Sequence, residues 1–408
     1  MVTDIEERLD ELRARGLYRS MRLVSGPQGP HVLLDGRPVL LLCSSNYLGL
    51  ADHPRVREAA AEAAMRWGAG AGGTRLGSGT MTVHRRLEER LADFHGTERC
   101  LLFGSGYLAG LGLVPALARE GEVVFYDELC HASIVDGCRL AGADSFAYRH
   151  GNLDHLESGL RQAGRRGSLI VTEGVFATDG DLAPLAGLVD LAHGHDARLM
   201  VDESHAVGAL GPGGRGAAAL AGLEDEVDVL VGALGKSLGS YGAYACCDAQ
   251  SARLLANTAR TLTCSTALPP PAVAAALAAL EIVEAEPSRV ERLARNARVL
   301  RETLIMEGEV GPVSETHIQP VRLDSAQSAL AASDLALRDG LLVPAPAPSE
   351  AASALRLTVM ASHTKGELRS AAGALSEIVR RQRYLEGAPR VTSVESAPAL
   401  FDGLREAA

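Results

Sequence analysis

A single lysine, Lys236, sits in 227-VDVLVGALGKSLGSYGAY-244, where an apolar run with β-branched valines ends among glycines. Gly-Lys-Ser is also how a phosphate-cradling P-loop ends. That loop needs a further glycine at the position of Leu230, so the spacing excludes it. Other polar residues recur in the same kind of place, just after an apolar run. In chain order they are Ser105-Gly106-Tyr107, His131, Glu173, Asp202 with His205, and Lys236. Taken singly, Lys236 reads equally well as a solvated loop lysine and His131 as a structural histidine; their shared placement points to one site. A lysine that can form a Schiff base, with a carboxylate able to keep a pyridine nitrogen protonated, is what pyridoxal 5'-phosphate (PLP) requires. The phosphate needs donors, which backbone N–H groups at a helix start supply, and 104-GSGYLAGLGL-113 has that composition. The motif 202-DESH-205 could bind a metal in isolation, but no further ligands at metal-site spacing accompany it.

The elements that must hold these residues are legible as short apolar runs at 100–103, 122–127, 168–173, 197–202 and 227–233. Helical stretches separate them. Such runs are expected of an α/β fold with a mostly parallel mixed sheet covered on both faces, where ligands bind beyond the carboxyl ends of the strands. Before them come an amphipathic helix and polar connector within residues 1–25, and a hairpin at 31–43 around Asp35-Gly36. Helical patterns occupy 54–67 and 84–94. Past the triple proline 269–271 the pattern changes to long helices (271–308), a strand (317–323), a helix (326–339) and a last strand (354–360). The expected division is an N-terminal helix and hairpin (1–45), a large cofactor domain (46–275), a smaller C-terminal α+β domain (276–385) and a loose polar tail (386–408).

Composition excludes several classes. The chain has 408 residues, 47% hydrophobic and 22% charged, as an ordinary globular protein does. A net charge of −11 with only scattered basic pairs argues against nucleic acid as a partner. The longest apolar stretch, near 267–283, carries three prolines and a glutamate, so no membrane span is expected. Seven cysteines without a C-x-x-C spacing read as mostly buried thiols of a reducing cytoplasm.

Nine collinear stretches carry a family resemblance. They are 44-SSNYLGL-50, 70-GAGGTRLGSGTMTVHRRLEERLADFHGTE-98, 103-FGSGY-107, 131-HASIVDGCRLAGA-143, 172-TEGVFATDGDLAPL-185, 201-VDESHAVGALGPGGRG-216, 235-GKSLGSYGAY-244, 265-STALPPP-271 and 355-LRLTVMASHT-364. On these the chain, over about residues 20–380, resembles the α-oxoamine synthases, acyltransferases of the fold-type-I PLP class. The resemblance implies that Lys236 carries the cofactor and removes a Cα proton, and that Asp202 pairs with the pyridine nitrogen. It also implies that His205 binds the phenolic oxygen and His131 stacks on the ring. Ser105, Gly106, Tyr107 and Glu173 fall among the cofactor-binding positions. Arg356 would clamp the substrate carboxylate, with Asn46 in the same pocket, and Thr266 would reach the phosphate of a neighbouring subunit, which implies a homodimer with its active site at the interface.

The activity so implied is a Claisen condensation of a small amino acid with an acyl-CoA, releasing CoA and CO₂. Alanine with a pimeloyl group, a step towards biotin, is preferred over glycine with acetyl or a secondary-metabolite donor. Two departures stand out. Ala233 and Ala177 occupy positions where the family has hydroxyl ligands for the phosphate, with Ser237 and Thr178 as neighbouring substitutes. The segment 343-VPAPAPSEAAS-353 also departs from the family's loop near the acyl chain. A non-catalytic relative that binds PLP weakly is the alternative from another class.

Overall fold

Uninterrupted Leu, Ile, Val and Ala side chains give strands that can be buried on both faces, and the computed structural model places them at the centre of a mixed sheet. It describes residues 4–15, 17–308, 314–345 and 353–386. Most of the divergent 343–353 segment and the tail from 387 lie outside the described residues. The strands are β1 (Val24–Ser25), β2 (His31–Leu34), β3 (Arg37–Leu41), β4 (Arg99–Phe103), β5 (Val123–Asp127), β6 (Asp144–Tyr148) and β7 (Ser168–Glu173). They continue as β8 (Arg198–Asp202), β9 (Val229–Ala233), β10 (Ala243–Cys247), β11 (Ile318–Arg322), β12 (Leu341–Leu342) and β13 (Ala354–Thr358).

The chain forms two compact units, Ser45–Ala177 with Asp181–Leu293, and Met1–Ser44 with Thr178–Gly180 and Ala294–Ala408. The larger unit holds a seven-stranded sheet in the order β4-β10-β9-β8-β7-β5-β6. All neighbours are parallel except β10, which runs antiparallel to both β4 and β9. From β5 the chain steps outward to β6, then crosses back to β7, β8 and β9. The order therefore reverses between β5 and β7, the kind of switch point at which ligands bind in open sheets. Two strands of this sheet escaped the sequence reading for physical reasons. β6 (DSFAY) is an edge strand, mostly exposed, and lacks an apolar run. β10 (AYACC) is fully buried but sets only alanine and cysteine around Tyr244, with no β-branching.

The helix Pro270–Ala285 belongs to this larger unit, beyond the expected boundary at 275. Val273, Ala276, Leu280 and Ile282 are buried on it, and it packs on the helices Pro54–Trp67 and Thr82–His95. In the smaller unit β1, β2, β3 and β12 form one sheet, and β11 pairs antiparallel with β13. The N-terminal hairpin is thus no separate domain. Val32, Leu34, Val39 and Leu41 share a core with Met360 and Leu342. Among the described residues, no helix is long and apolar enough to cross a membrane.

Candidate active site

The carboxyl ends of β4, β5, β7, β8 and β9 and the turns after them deliver polar side chains to a common cavity of about 270 Å³. Its walls include Ser105, Gly106, Tyr107, His131, Glu173, Asp202, His205 and Lys236, eight residues singled out from the sequence. Ser204, Ala233, Gly235, Tyr241 and Gly242 complete the lining.

Two helices are aimed at this cavity by their caps. Ser105 is the N-cap of helix Gly106–Leu117, its Oγ accepting from Leu108 N at 3.2 Å. His131 is the N-cap of helix Ala132–Ala141, its Nδ1 accepting from Ser133 N at 3.2 Å. These helices pack on each other through glycines. A Cβ added at Gly110 would lie 2.6 Å from Ser133 Oγ, and one at Gly137 would lie 2.8 Å from Gly110 O. Tyr107 stands edge-on to His131, with ring centroids 6.2 Å apart, and its hydroxyl donates to Asp136.

At the switch point His131 N donates to Glu173 Oε1 at 2.6 Å, joining the turn after β5 to the end of β7. Glu173 is paired in register with Asp202 at the end of β8. Burial and the neighbouring Asp202 push the Glu173 carboxyl above the usual carboxylate range, while Lys236 pulls it back. Desolvation holds His131 below its ordinary value; Asp202 opposes this and Lys236 reinforces it. Electrostatically, then, the amine, the imidazole and both carboxyls form one group.

The turn after Asp202 is fixed by a buried acid. Glu203 accepts from Ala217 N (2.8 Å) and Ala218 N (2.6 Å), and burial raises its carboxyl to about 7 against those bonds. Asp202 Oδ1 accepts from Ser204 N at 2.8 Å. His205 Nδ1 lies 2.7 Å from the hydroxyl of Tyr47, which has no exposed surface. The lysine loop closes tightly, with Ser240 N bonded to Leu234 O and Gly239 N to Lys236 O, both at 2.9 Å. Gly239 has φ +59°, and an added Cβ would lie 2.3 Å from Ala51 N, so only glycine lets this loop rest on the 50–51 backbone.

Three sequence-predicted residues are absent from the lining. Asn46 is buried and its Oδ1 accepts from Ala51 N at 3.1 Å, holding the turn that carries Tyr47. Thr266 is exposed and bridges Thr74. Arg356 lies on β13 of the smaller unit, half-buried beside Cys43; burial pushes that thiol up to about 11, with Arg356 opposing. Sequence reasoning missed Tyr47, Ser204 and Tyr241. Ser204 stood between two residues already singled out, whereas Tyr47 meets a partner 158 positions away.

The cavity fits PLP. It presents an amine, paired carboxyls, a histidine and a helix N-terminus. Among the described residues Ser204 Oγ, on the lining, is buried with no hydrogen-bond partner. Of the substitute hydroxyls, Ser237 Oγ is likewise buried and unpartnered but off the lining, and Thr178 belongs to the other unit. Ala233 presents only a methyl group.

The family described as aminotransferase class I and II matches residues 37–375, and the chain belongs to it. Within it the chain is a PLP-dependent acyltransferase of the α-oxoamine synthase group. An 8-amino-7-oxononanoate synthase of Citrifermentans bemidjiense is 46% identical over 381 residues, 92% of this chain and 98% of that protein. One of Geobacter sulfurreducens is 46% identical over 386 residues, 93% and 98% of the two chains. Among solved structures, Sphingomonas wittichii serine palmitoyltransferase superposes with a TM-score of 0.87 at 30% identity, covering 93% of this chain and 97% of that one. An 8-amino-7-oxononanoate synthase from Francisella tularensis gives 0.73 at 26% identity, covering 84% and 98%.

Proposed function

We propose that this chain joins alanine to pimeloyl-CoA, releasing CoA and CO₂, to make 8-amino-7-oxononanoate. In the overall exchange a bond forms between the amino acid Cα and the acyl carbon. The thioester C–S bond breaks, and the thiol takes up a proton. The Cα–carboxylate bond then breaks with loss of CO₂, and a proton replaces it at Cα. When bound, PLP supplies an electron sink for the pair of electrons left at Cα.

The chain's own residues divide the remaining work. Lys236 holds the cofactor and then takes and returns the Cα proton. Asp202 keeps a proton at the pyridine nitrogen, and Glu173 holds the His131 turn beside it through the His131 N–H. With PLP bound, His131 would pack on its ring, while His205 and Ser204 would donate to its oxygens. Ser105, Gly106 and Tyr107 at the helix start hold the phosphate end. Arg356 binds the substrate carboxylate as a bidentate fork, and Asn46 supports that pocket. Thr266 serves the phosphate of a neighbouring subunit in a homodimer; its exposure outside its own chain's cavity favours that role. The cytoplasm is the proposed compartment, in keeping with seven cysteines free of disulfides.

The lining that unites Lys236, Asp202, Glu173 and His131 carries the reading, together with identity to the synthases over nine-tenths of the chain. Serine palmitoyltransferase has the higher TM-score, but backbone likeness follows the fold, whereas the 46% identity follows side chains. The test mixes purified protein and PLP with glycine, alanine or serine and acyl-CoAs of increasing length, and follows free thiol. Alanine with pimeloyl-CoA should release thiol fastest. Faster release with serine and a long acyl chain, or none with any pair, would sink the proposal. Because Ala233 and Ala177 offer no hydroxyl, supplying one with Ala233→Thr should slow the loss of PLP on dialysis; equal retention by wild type and variant would count against this.

A further inference from the structure

We propose that Tyr47 is a positioning residue that fixes the proton of His205 on Nε2. The phenol oxygen lies 2.7 Å from Nδ1, with ring centroids 6.1 Å apart and planes at 46°, so the contact is a hydrogen bond rather than a stack. Both groups are buried, Tyr47 at 0% and His205 at 7% exposure. A phenol O–H is a good donor and a weak acceptor, while the unprotonated nitrogen of imidazole is a strong acceptor. In the neutral ring one nitrogen donates and the other accepts, and the partner of one decides the role of the other. With Tyr47 donating to Nδ1, the proton of His205 resides on Nε2. His205 lines the cavity, so it enters the site as an N–H donor suited to an anionic oxygen, and Nδ1 is withdrawn from proton transfer.

Bonds other than that hydroxyl's also hold the turn bearing Tyr47. Tyr47 N bonds Ser45 O at 2.8 Å, Gly49 N bonds Asn46 O at 2.9 Å, and Asn46 Oδ1 accepts from Ala51 N. Tyr47→Phe therefore removes the oxygen while keeping the ring that fills the buried space. The part of this inference that concerns the cofactor rests on the proposed function; the tautomer does not.

The first test is a long-range ¹H–¹⁵N correlation spectrum of the cofactor-free protein labelled at histidine, with His205 assigned by the peak lost in His205→Gln. Nδ1 of His205 should be pyridine-like and Nε2 pyrrole-like at neutral pH. The reverse pattern, or a doubly protonated ring, overturns the proposal. In Tyr47→Phe the pattern should collapse towards a mixture of tautomers, and an unchanged pattern also overturns it. The second test titrates PLP into cofactor-free protein: Tyr47→Phe should raise the dissociation constant roughly threefold to tenfold with an unaltered fold by circular dichroism. Unchanged affinity counts against the proposal. If the wild-type chain itself fails to bind PLP, the functional reading falls, and the tautomer pattern still decides this one.

Discussion

The large unit has a cavity at each end of its sheet, and the bigger one is at the wrong end for chemistry. At the amino ends of the strands a cavity of about 950 Å³ runs past Ser168, Arg198, Asp228 and Cys247. At the carboxyl ends lies the 270 Å³ cavity with Lys236. Acids crowd the first, among them Asp196, Glu226 and Asp228, but they face solvent or meet local partners. His193 pairs with Glu226 at 3.1 Å with both side chains largely exposed, and Asp228 accepts from Leu199 N. In the second, the buried carboxyls of Glu173 and Asp202 face the half-buried Lys236 and the exposed His131, and these groups shift one another. Strand direction, more than volume, separates them. A parallel sheet turns every chain towards its next helix at one end, and there loop backbone, helix N-termini and side chains converge.

The sharpest way to break this contrast is Lys236→Ala. Turnover should fall by more than about a thousandfold, as expected when a proton-transferring group is removed, and the visible absorbance of the holoenzyme should vanish. Residual turnover within tenfold of wild type would place the chemistry elsewhere. Asp202→Asn comes next, with a fall of about a hundredfold, since it removes a charge placed to stabilise the developing one; the check is steady-state kcat at saturating cofactor.

A third prediction concerns how the chemical end is held. His150 Nδ1 meets Asp127 at 2.9 Å and Nε2 meets Asp181 at 2.7 Å. Burial alone would lower its pKa, but the two carboxylates outweigh burial and raise it to about 10. The folded chain therefore favours the protonated ring. Its stabilisation is complete below about pH 6.5, the unfolded value, weakens as pH rises and is lost through about pH 10. His150→Gln should cost about 2 kcal/mol at pH 6 and progressively less towards pH 10, read by urea denaturation. A difference that does not change with pH would show that the charge contributes nothing. The smallest effect belongs to the other cavity: His193→Ala should leave kcat and KM within about twofold, as surface changes away from a site do. A tenfold loss would give that end a function.

The sequence made one end of the sheet readable because each catalytic candidate lies at or shortly after the end of an apolar strand. SLIVTE ends in Glu173 and ARLMVD in Asp202, so the run and the residue announce each other. What stayed hidden had no such flag. β10 lacks β-branched residues, and β6 is half-exposed at an edge. Asn46 drew attention in SSNYLGL, yet it supports the turn, and the neighbouring Tyr47 is the side chain that meets the site histidine. Contacts made across 158 residues leave no periodicity to read. The same holds for the boundary at 275: the prolines mark a helix start correctly, but only packing against Pro54–Trp67 tells which unit that helix joins.

The pairing of β3 with β12 has a consequence for how the protein comes into being. Leu40 and Leu341 are register partners, some three hundred positions apart. As the ribosome works from the N-terminus, the hairpin of β2 and β3 emerges with one edge unsatisfied, and its partner strand follows only some three hundred residues later. The larger unit is complete by Leu293 and can settle during synthesis. The smaller one must wait for the segment that carries β12, so its assembly lags behind and is slow to nucleate. A stalled or truncated chain would keep the cofactor-binding half and lose the half that carries Arg356.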